Sequence, residues 1–263
     1  MSKEIRENNP SDIRDNANND DVAILLNTLV RDLTNHPALE QIASDELGKE
    51  GWKKFIAQRY LIGRQFEHLL VLARTRASES GDTTLATVLQ ENLNDELGVD
   101  TDGRPLPTGS HAKWRKDFYQ ALGLSDTQLE KTQPLPGTDT YNKAMGSLCE
   151  DPDFLKMAGA ILYLEKSIPP EFRKIKAGRD ALFPHTFEHT QNDTTEIKRR
   201  KGEARLYLDH HITHDANAHF PDLLKALAPY IKKEDTRARI IAGIQEMAEA
   251  KKKFYDSIRE GWE

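Results

Sequence analysis

The stretch Arg205–Leu224, "RLYLDHHITHDANAHFPDLL", holds four of the chain's nine histidines and two aspartates within positions 209–219. Histidine and aspartate are mediocre helix formers, and a solvated helix face would normally use Glu and Lys. Yet Leu206, Tyr207, Leu208, Ile212 and Ala218 precede Pro221 with no glycine among them, which predicts a helix over 203–219. At about 100° per residue, Ala204, Leu208, His211, Asp215 and His219 share a sector of roughly 80°. Leu208 and Ala204 turn that sector toward the interior, where a carboxylate is costly without a cation or donors beside it. His-x3-Asp-x3-His therefore offers two imidazoles and a carboxylate to one cation. The competing reading is three solvated side chains on an exposed face.

Two further helices place acids where core residues belong. In the helix expected over 152–176, Phe154, Ala158, Ile161, Glu165 and Ile168 recur at alternating steps of four and three, so Glu165 sits on the apolar stripe. In 82–97, Leu85, Leu89, Leu93 and Glu96 form the same pattern, closed by Gly98. Each acid has an ordinary alternative: Glu165 could pair with Arg59 or Arg64, and Glu96, near a helix end, could reach water. Taken together with the His211 helix, they match the way bundles build carboxylate-bridged metal pairs, from inward acids and imidazoles on separate helices. His111, in "PTGSHAKWRKDF", follows Glu96 across a Gly/Pro-rich turn and supplies a sixth donor; alternatively the Ser110–His111 pair only caps the next helix.

The remainder of the chain reads as helix as well. Helices are expected over 22–35, 38–46, 49–78, 82–97, 109–122, 126–132, 138–149, 152–176, 203–219, 221–231 and 234–261, broken at stretches such as "ESGDTT" and "GVDTDGRPLPTGS". No strand pattern competes, so the fold class is all-α. Residues 1–20 are almost devoid of apolar side chains and are expected to be a disordered polar tail, leaving 21–263 as one helical domain. Hydrophobic residues make up 37% and charged residues 30%, a balance that suits a helix-rich chain with long polar faces. The longest apolar runs, such as "HLLVLA", are too short to cross a bilayer and the N-terminus has no signal-peptide pattern, so no membrane partner and a cytoplasmic location are expected. A net charge of −6, with "KRRK" at 198–201 as an isolated basic cluster, argues against nucleic acid. Cys149, the single cysteine, excludes an internal disulfide. The stripe Ile240, Ile244, Met247, Tyr255, Ile258 and Trp262 reads as packing, with a homodimer contact as its other use.

In order along the chain, "NLNDELG" with Glu96, "HAKWRKDFYQALGL" with His111, "AGAILYLEKSIPPEF" with Glu165 and the closing His/Asp/His helix resemble the haem-oxygenase-like diiron oxidase and oxygenase superfamily, over roughly 22–262. That superfamily shares its single-domain helical bundle with TenA-like thiaminases and the PQQ-forming oxidase. The resemblance implies Glu96, His111, Glu165, His211, Asp215 and His219 as ligands of two ferrous ions per chain. It also implies dioxygen as co-substrate and oxidation of a small molecule such as an amino acid, amine or fatty acid; manganese suits the same donors. Two departures stand out: "LGVDTDGRPLPTGS" separates Glu96 from His111, where the family keeps Glu and His about two turns apart on one helix. The final spacing is His-x3-Asp-x3-His rather than His-x3-Asp-x2-His. His210 and His214 are spare imidazoles read as supporting or surface residues. Competing readings are a TenA-like thiaminase using Cys149, a haem protein using His36, and a metal-free scaffold or partner-binding protein.

Overall fold

The computed structural model describes the backbone at 10–107 and 109–261, and side chains from residue 21 onward except at 108, 215 and 216. Residues 1–9 and the predicted core residue Trp262 lie outside the described residues. Among the described residues twelve helices make up the architecture: α1 (Pro10–Thr34), α2 (Pro37–Ala43), α3 (Gly48–Ile62), α4 (Phe66–Glu79), α5 (Thr83–Leu97), α6 (His111–Ala121), α7 (Asp126–Glu130), α8 (Pro136–Glu150), α9 (Phe154–Leu182), α10 (Thr195–Asn217), α11 (His219–Ile231) and α12 (Glu234–Glu260). Among the described residues no strand forms; a lone antiparallel bridge joins Val99 to Pro105. The all-α expectation holds. No helix among the described residues is long and apolar enough to cross a membrane.

Several boundaries differ from the expected ones. The described part of helix α1 runs from Pro10, so the polar stretch 10–20 is helical backbone. The run 49–78 divides into α3 and α4 at Gly63–Gln65, where the Gly63 N–H caps the Arg59 carbonyl. Helix α9 continues to Leu182 through Pro169 and Pro170. Each proline removes one helical hydrogen bond and is tolerated because most of α9 is buried and held by its neighbours.

The long helix α9 is the spine, with α12, α10, α2 and α4 packed around it. Its crossing with α12 depends on glycine: a Cβ on Gly159 would meet the Ile240 carbonyl oxygen at 2.1 Å, and one on Gly243 would meet the Lys156 carbonyl oxygen at 1.9 Å. Two glycines, one on each helix, therefore set backbone-to-backbone contact there. Around this crossing lies one continuous core that includes Trp52, Phe55, Phe118, Phe172 and Phe254. Helix α10 packs on α6 and α9, and α11 on α5, which brings the acid- and histidine-bearing segments to the same region of the bundle.

Candidate metal centre

Helix α5 presents Asn92 and Glu96 on its buried face beside Leu85, Leu89 and Leu93. It ends at Gly98, in the left-handed conformation at φ 65°, ψ 44°, which closes the last turn. The loop that follows folds back on itself: the Leu106 N–H donates to the Gly98 carbonyl at 2.7 Å. A Cβ on Gly98 would lie 2.4 Å from the Gly109 carbonyl. The thirteen-residue insertion is thus an excursion whose ends touch, and His111, the first residue of α6, arrives next to Glu96. Its Nδ1 lies 3.0 Å from Glu96 Oε1. Ser110 caps α6 by accepting from the Lys113 N–H, as the alternative reading foresaw, while the His111 side chain is itself buried.

His211, on α10, completes this first group: one donor atom from each of Glu96, His111 and His211 lies within 4.8 Å of the other two, and all three residues are buried. The His111 and His211 rings meet edge to face with centroids 4.6 Å apart.

The expected single helix through His219 does not form. Helix α10 ends at Asn217, Ala218 leaves helical geometry at φ −123°, ψ −71°, and α11 starts at His219. Pro221 supplies the reason: it has no N–H to donate to the Asn217 carbonyl, so the helix stops one turn before it. His219 consequently takes its place by a break in the helix rather than by periodicity. Its Nε2 lies 2.9 Å from Asp95 Oδ2 and its Nδ1 3.5 Å from Glu165 Oε2. His214 Nε2 reaches the same Asp95 oxygen at 2.9 Å. Asp95, His214 and His219 form a second group of donors within 4.8 Å of one another. Glu165, almost wholly buried, adjoins it, its Oε1 accepting from the Asn92 amide at 2.7 Å.

The six residues expected from sequence therefore divide. Glu96, His111 and His211 come together, and Glu165 and His219 come together; the side chain of Asp215 lies outside the described residues. Asp95, which the sequence reading did not single out, and His214, read there as a supporting or surface residue, belong to the second donor group. Asp95 lies beside Glu96 in "NLNDELG" but off the apolar stripe, so periodicity assigned it to solvent. His210 has a supporting place, stacked on His214 with centroids 4.6 Å apart and edge-on to Trp114.

The acids around the two groups shift in opposite directions. Burial alone would raise the Asp95 carboxyl, but the hydrogen bonds and charge of His219 and His214 outweigh it and hold the group below its ordinary range. Nearby Glu67, on α4, moves the other way, pushed up first by burial and then by the Glu96 charge. Glu96, His111 and His211 form a buried set of oxygen and nitrogen donors, and half-buried Asp95 and His214 join buried His219 in the other; both sets are donor chemistry that iron accepts.

A cleft opens onto the first group, lined by Glu96, His111, His211, Tyr207, Phe172, Arg59, Arg115 and Lys251 among others.

Residues 53–252 match the sequence profile of a family described as iron-containing redox enzyme. The chain belongs to that family. Membership of the iron-containing redox enzymes agrees with the donor groups and with the haem-oxygenase-like bundle. Among solved structures, the chain is similar to a CADD-like protein of unknown function from Nostoc punctiforme PCC 73102, at TM-score 0.69 and 19% identity, covering 92% of this chain and 97% of that one. It is similar also to a TenA homolog from Pseudomonas syringae pv. tomato, at TM-score 0.68 and 11% identity over 92% of both chains. A third likeness is to a TenA family transcription regulator from Silicibacter sp. TM1040, at TM-score 0.59 and 12% identity, covering 92% of this chain and 96% of that one. At such identities these likenesses establish the fold alone. No curated protein matches the chain.

Two of the competing readings meet specific obstacles. Cys149 is absent from the residues lining the cleft, and burial raises its thiol, the opposite of what a nucleophile needs. His36 uses both ring nitrogens: Nδ1 accepts from the Ala38 N–H at 3.2 Å and Nε2 bonds Asp256 at 3.0 Å. It caps α2 and ties it to α12.

Proposed function

We propose that this iron-containing redox enzyme is a non-haem diiron oxidase or oxygenase that uses dioxygen to oxidise a small molecule in the cleft beside Glu96, His111 and His211. The observation that carries the reading is the pair of adjoining donor groups on five helices, one of them opening onto that cleft. Glu96, His111 and His211 would hold one iron; Glu165, His219, Asp95 and His214 would serve the other, with Asp215 assigned by the family resemblance. Reduction of dioxygen is the chemistry that a ferrous pair held there supplies.

The chain's own residues do the rest. Asn92 fixes the Glu165 carboxylate by donating to Oε1, so that Oε2 stays turned toward His219. Asp95 accepts from His214 and His219 and sets the orientation of both rings. Phe172, Tyr207 and Trp114 pack against the imidazoles of the first group, with ring centroids 5.0 Å for Phe172–His211, 5.4 Å for Tyr207–His211 and 4.7 Å for His111–Trp114. These rings exclude water and hold the imidazoles in place.

The test is exposure of anaerobically Fe(II)-loaded protein to air-saturated buffer, followed with an oxygen electrode and by visible absorption. Dioxygen uptake with a new absorption band is expected in the native chain, and neither in Glu165→Ala. Loaded protein that consumes no dioxygen would overturn the oxidase reading.

A further inference from the structure

Asn92 carries a buried acceptor that meets no donor among the described residues. The side chain is 3% exposed and sits on the buried face of α5 with Leu85, Leu89 and Leu93. Its Nδ2 donates to Glu165 Oε1 at 2.7 Å, while Oδ1 is buried and has no hydrogen-bond partner. Turning the amide over is no remedy, because an ionised carboxylate only accepts and would then face the Asn92 oxygen. Glu165 therefore fixes the direction of both amide atoms. An amide oxygen left dry inside a fold costs about as much as a lost hydrogen bond, and such groups in native proteins commonly mark a bound water or ion.

The position of that oxygen limits what can meet it. Asn92 stands one turn before Asp95 and Glu96 on α5, and at about 100° per residue it lies in angle between them, roughly 60° from Asp95 and 40° from Glu96. Asp95 belongs to the second donor group and Glu96 to the first. Glu165, which the amide holds, adjoins the second group through His219. Asn92 is thus at the seam of the two groups. It is absent from the lining of the cleft, so a molecule in the cleft is not its partner.

Polarity at the seam is one-sided. Asp95 accepts from the His214 and His219 rings at 2.9 Å each, and Glu165 accepts from the Asn92 amide. These donors are directed at carboxylates, and none reaches Asn92 Oδ1. A water held by hydrogen bonds alone among such neighbours has two hydrogens to give and little to receive. On a cation the same water gives its lone pair to the metal and turns its hydrogens outward, toward the acceptors.

We propose that Asn92 is a positioning residue whose Oδ1 accepts a hydrogen bond from a solvent molecule, water or hydroxide, held on iron at the seam of the two donor groups. This assignment rests on the diiron reading. One side chain then serves two partners: Nδ2 orients the Glu165 carboxylate and Oδ1 orients the solvent ligand. An amide oxygen has no hydrogen of its own to give. It therefore favours a solvent ligand that keeps a proton over one that has lost them all.

The test is the crystal structure of the full-length chain in two states, metal-free and loaded anaerobically with Fe(II), together with infrared spectra of both states in solution. The expected result is a solvent oxygen bonded to iron and about 2.5–3.0 Å from Asn92 Oδ1. In protein carrying isotopically heavy carbon at the asparagine side-chain carbonyls, the band that is lost in Asn92→Leu should move to lower wavenumber on iron loading. A side chain that only props Glu165 would leave that band in place. With iron bound, Asn92 Oδ1 bonded directly to the metal, a water on Oδ1 that touches no iron, no solvent beside Oδ1, or an unmoved band would each overturn the assignment and leave the metal centre standing. Crystals that take up no iron would contradict the metal centre itself, and the assignment with it. If Asn92→Leu does not fold, the two native crystal structures decide alone.

Discussion

Glu171 and Glu165 lie six residues apart on α9, both buried, in opposite circumstances. The carboxyl of Glu171 would be raised by burial, yet Arg59 and Lys251 together hold it below its ordinary range. Glu165 faces an amide and an imidazole. Removing charge from Glu171 leaves two buried cations facing each other, so Glu171→Gln should lower unfolding stability by about 3–5 kcal/mol in urea titration, whereas Lys251→Met, which leaves a paired arginine, should cost clearly less. Equal losses would show that the cluster is not organised around the carboxylate. From sequence, Glu165 was legible because it interrupts an apolar stripe. The alternative pairing of Glu165 with Arg59 does not form, since Arg59 reaches Glu171; "EKSIPPEF" offers two glutamates and pattern alone does not say which one the arginine reaches. Asp95 was invisible for a related reason: a residue 100° off a helix stripe is drawn inward only where another element packs over it, and α11, which brings His219 to the half-buried Asp95, does so here.

At the level of the elements, two backbone devices assemble the donors, and both sit at helix ends. Gly98 closes α5 and touches the backbone of Gly109, which lets a long loop return His111 to Glu96. Gly98→Ala puts a methyl group into that contact at a positive φ and should cost about 1–3 kcal/mol in denaturant unfolding. It should also weaken iron uptake at the His111 group while leaving far-ultraviolet helicity nearly unchanged; unaltered stability and uptake would contradict this role. The break at Ala218 is the second device. Helical periodicity placed His219 on the His211 face, and the residue does reach the neighbouring donors, but Pro221 ends α10 early and His219 starts a new helix. The helices and their apolar faces were readable because period and breakers are local signals. The merging of 49–78, the late start assigned to α10 and the unbroken 203–219 were errors at junctions, where tertiary contacts choose between continuing and ending a helix.

On the scale of the whole molecule, the polar groups drawn inside tie stability to pH. Glu171, Asp95 and Asp256 all titrate below their ordinary values in the folded chain: burial would raise each, and paired cations or histidines more than reverse it. A depressed acid contributes stability that is complete above its unfolded value and is lost as pH falls through the folded one. The melting temperature of the metal-free chain should therefore vary little from about pH 7 to 5 and fall steeply below about pH 4, with a shallower fall in Glu171→Gln. An acid limb equally steep in that variant would remove Glu171 from the account. Metal bound by the folded chain alone should raise the melting temperature, since ligand affinity for the native state adds to stability. The most direct test of the central claim is the iron content of protein loaded anaerobically with Fe(II) and desalted: about two irons per chain in the native protein, and about one in each of His211→Ala and His219→Ala, which remove donors from different groups. One iron or none in the native chain, or an unchanged count in both variants, would contradict a paired metal centre.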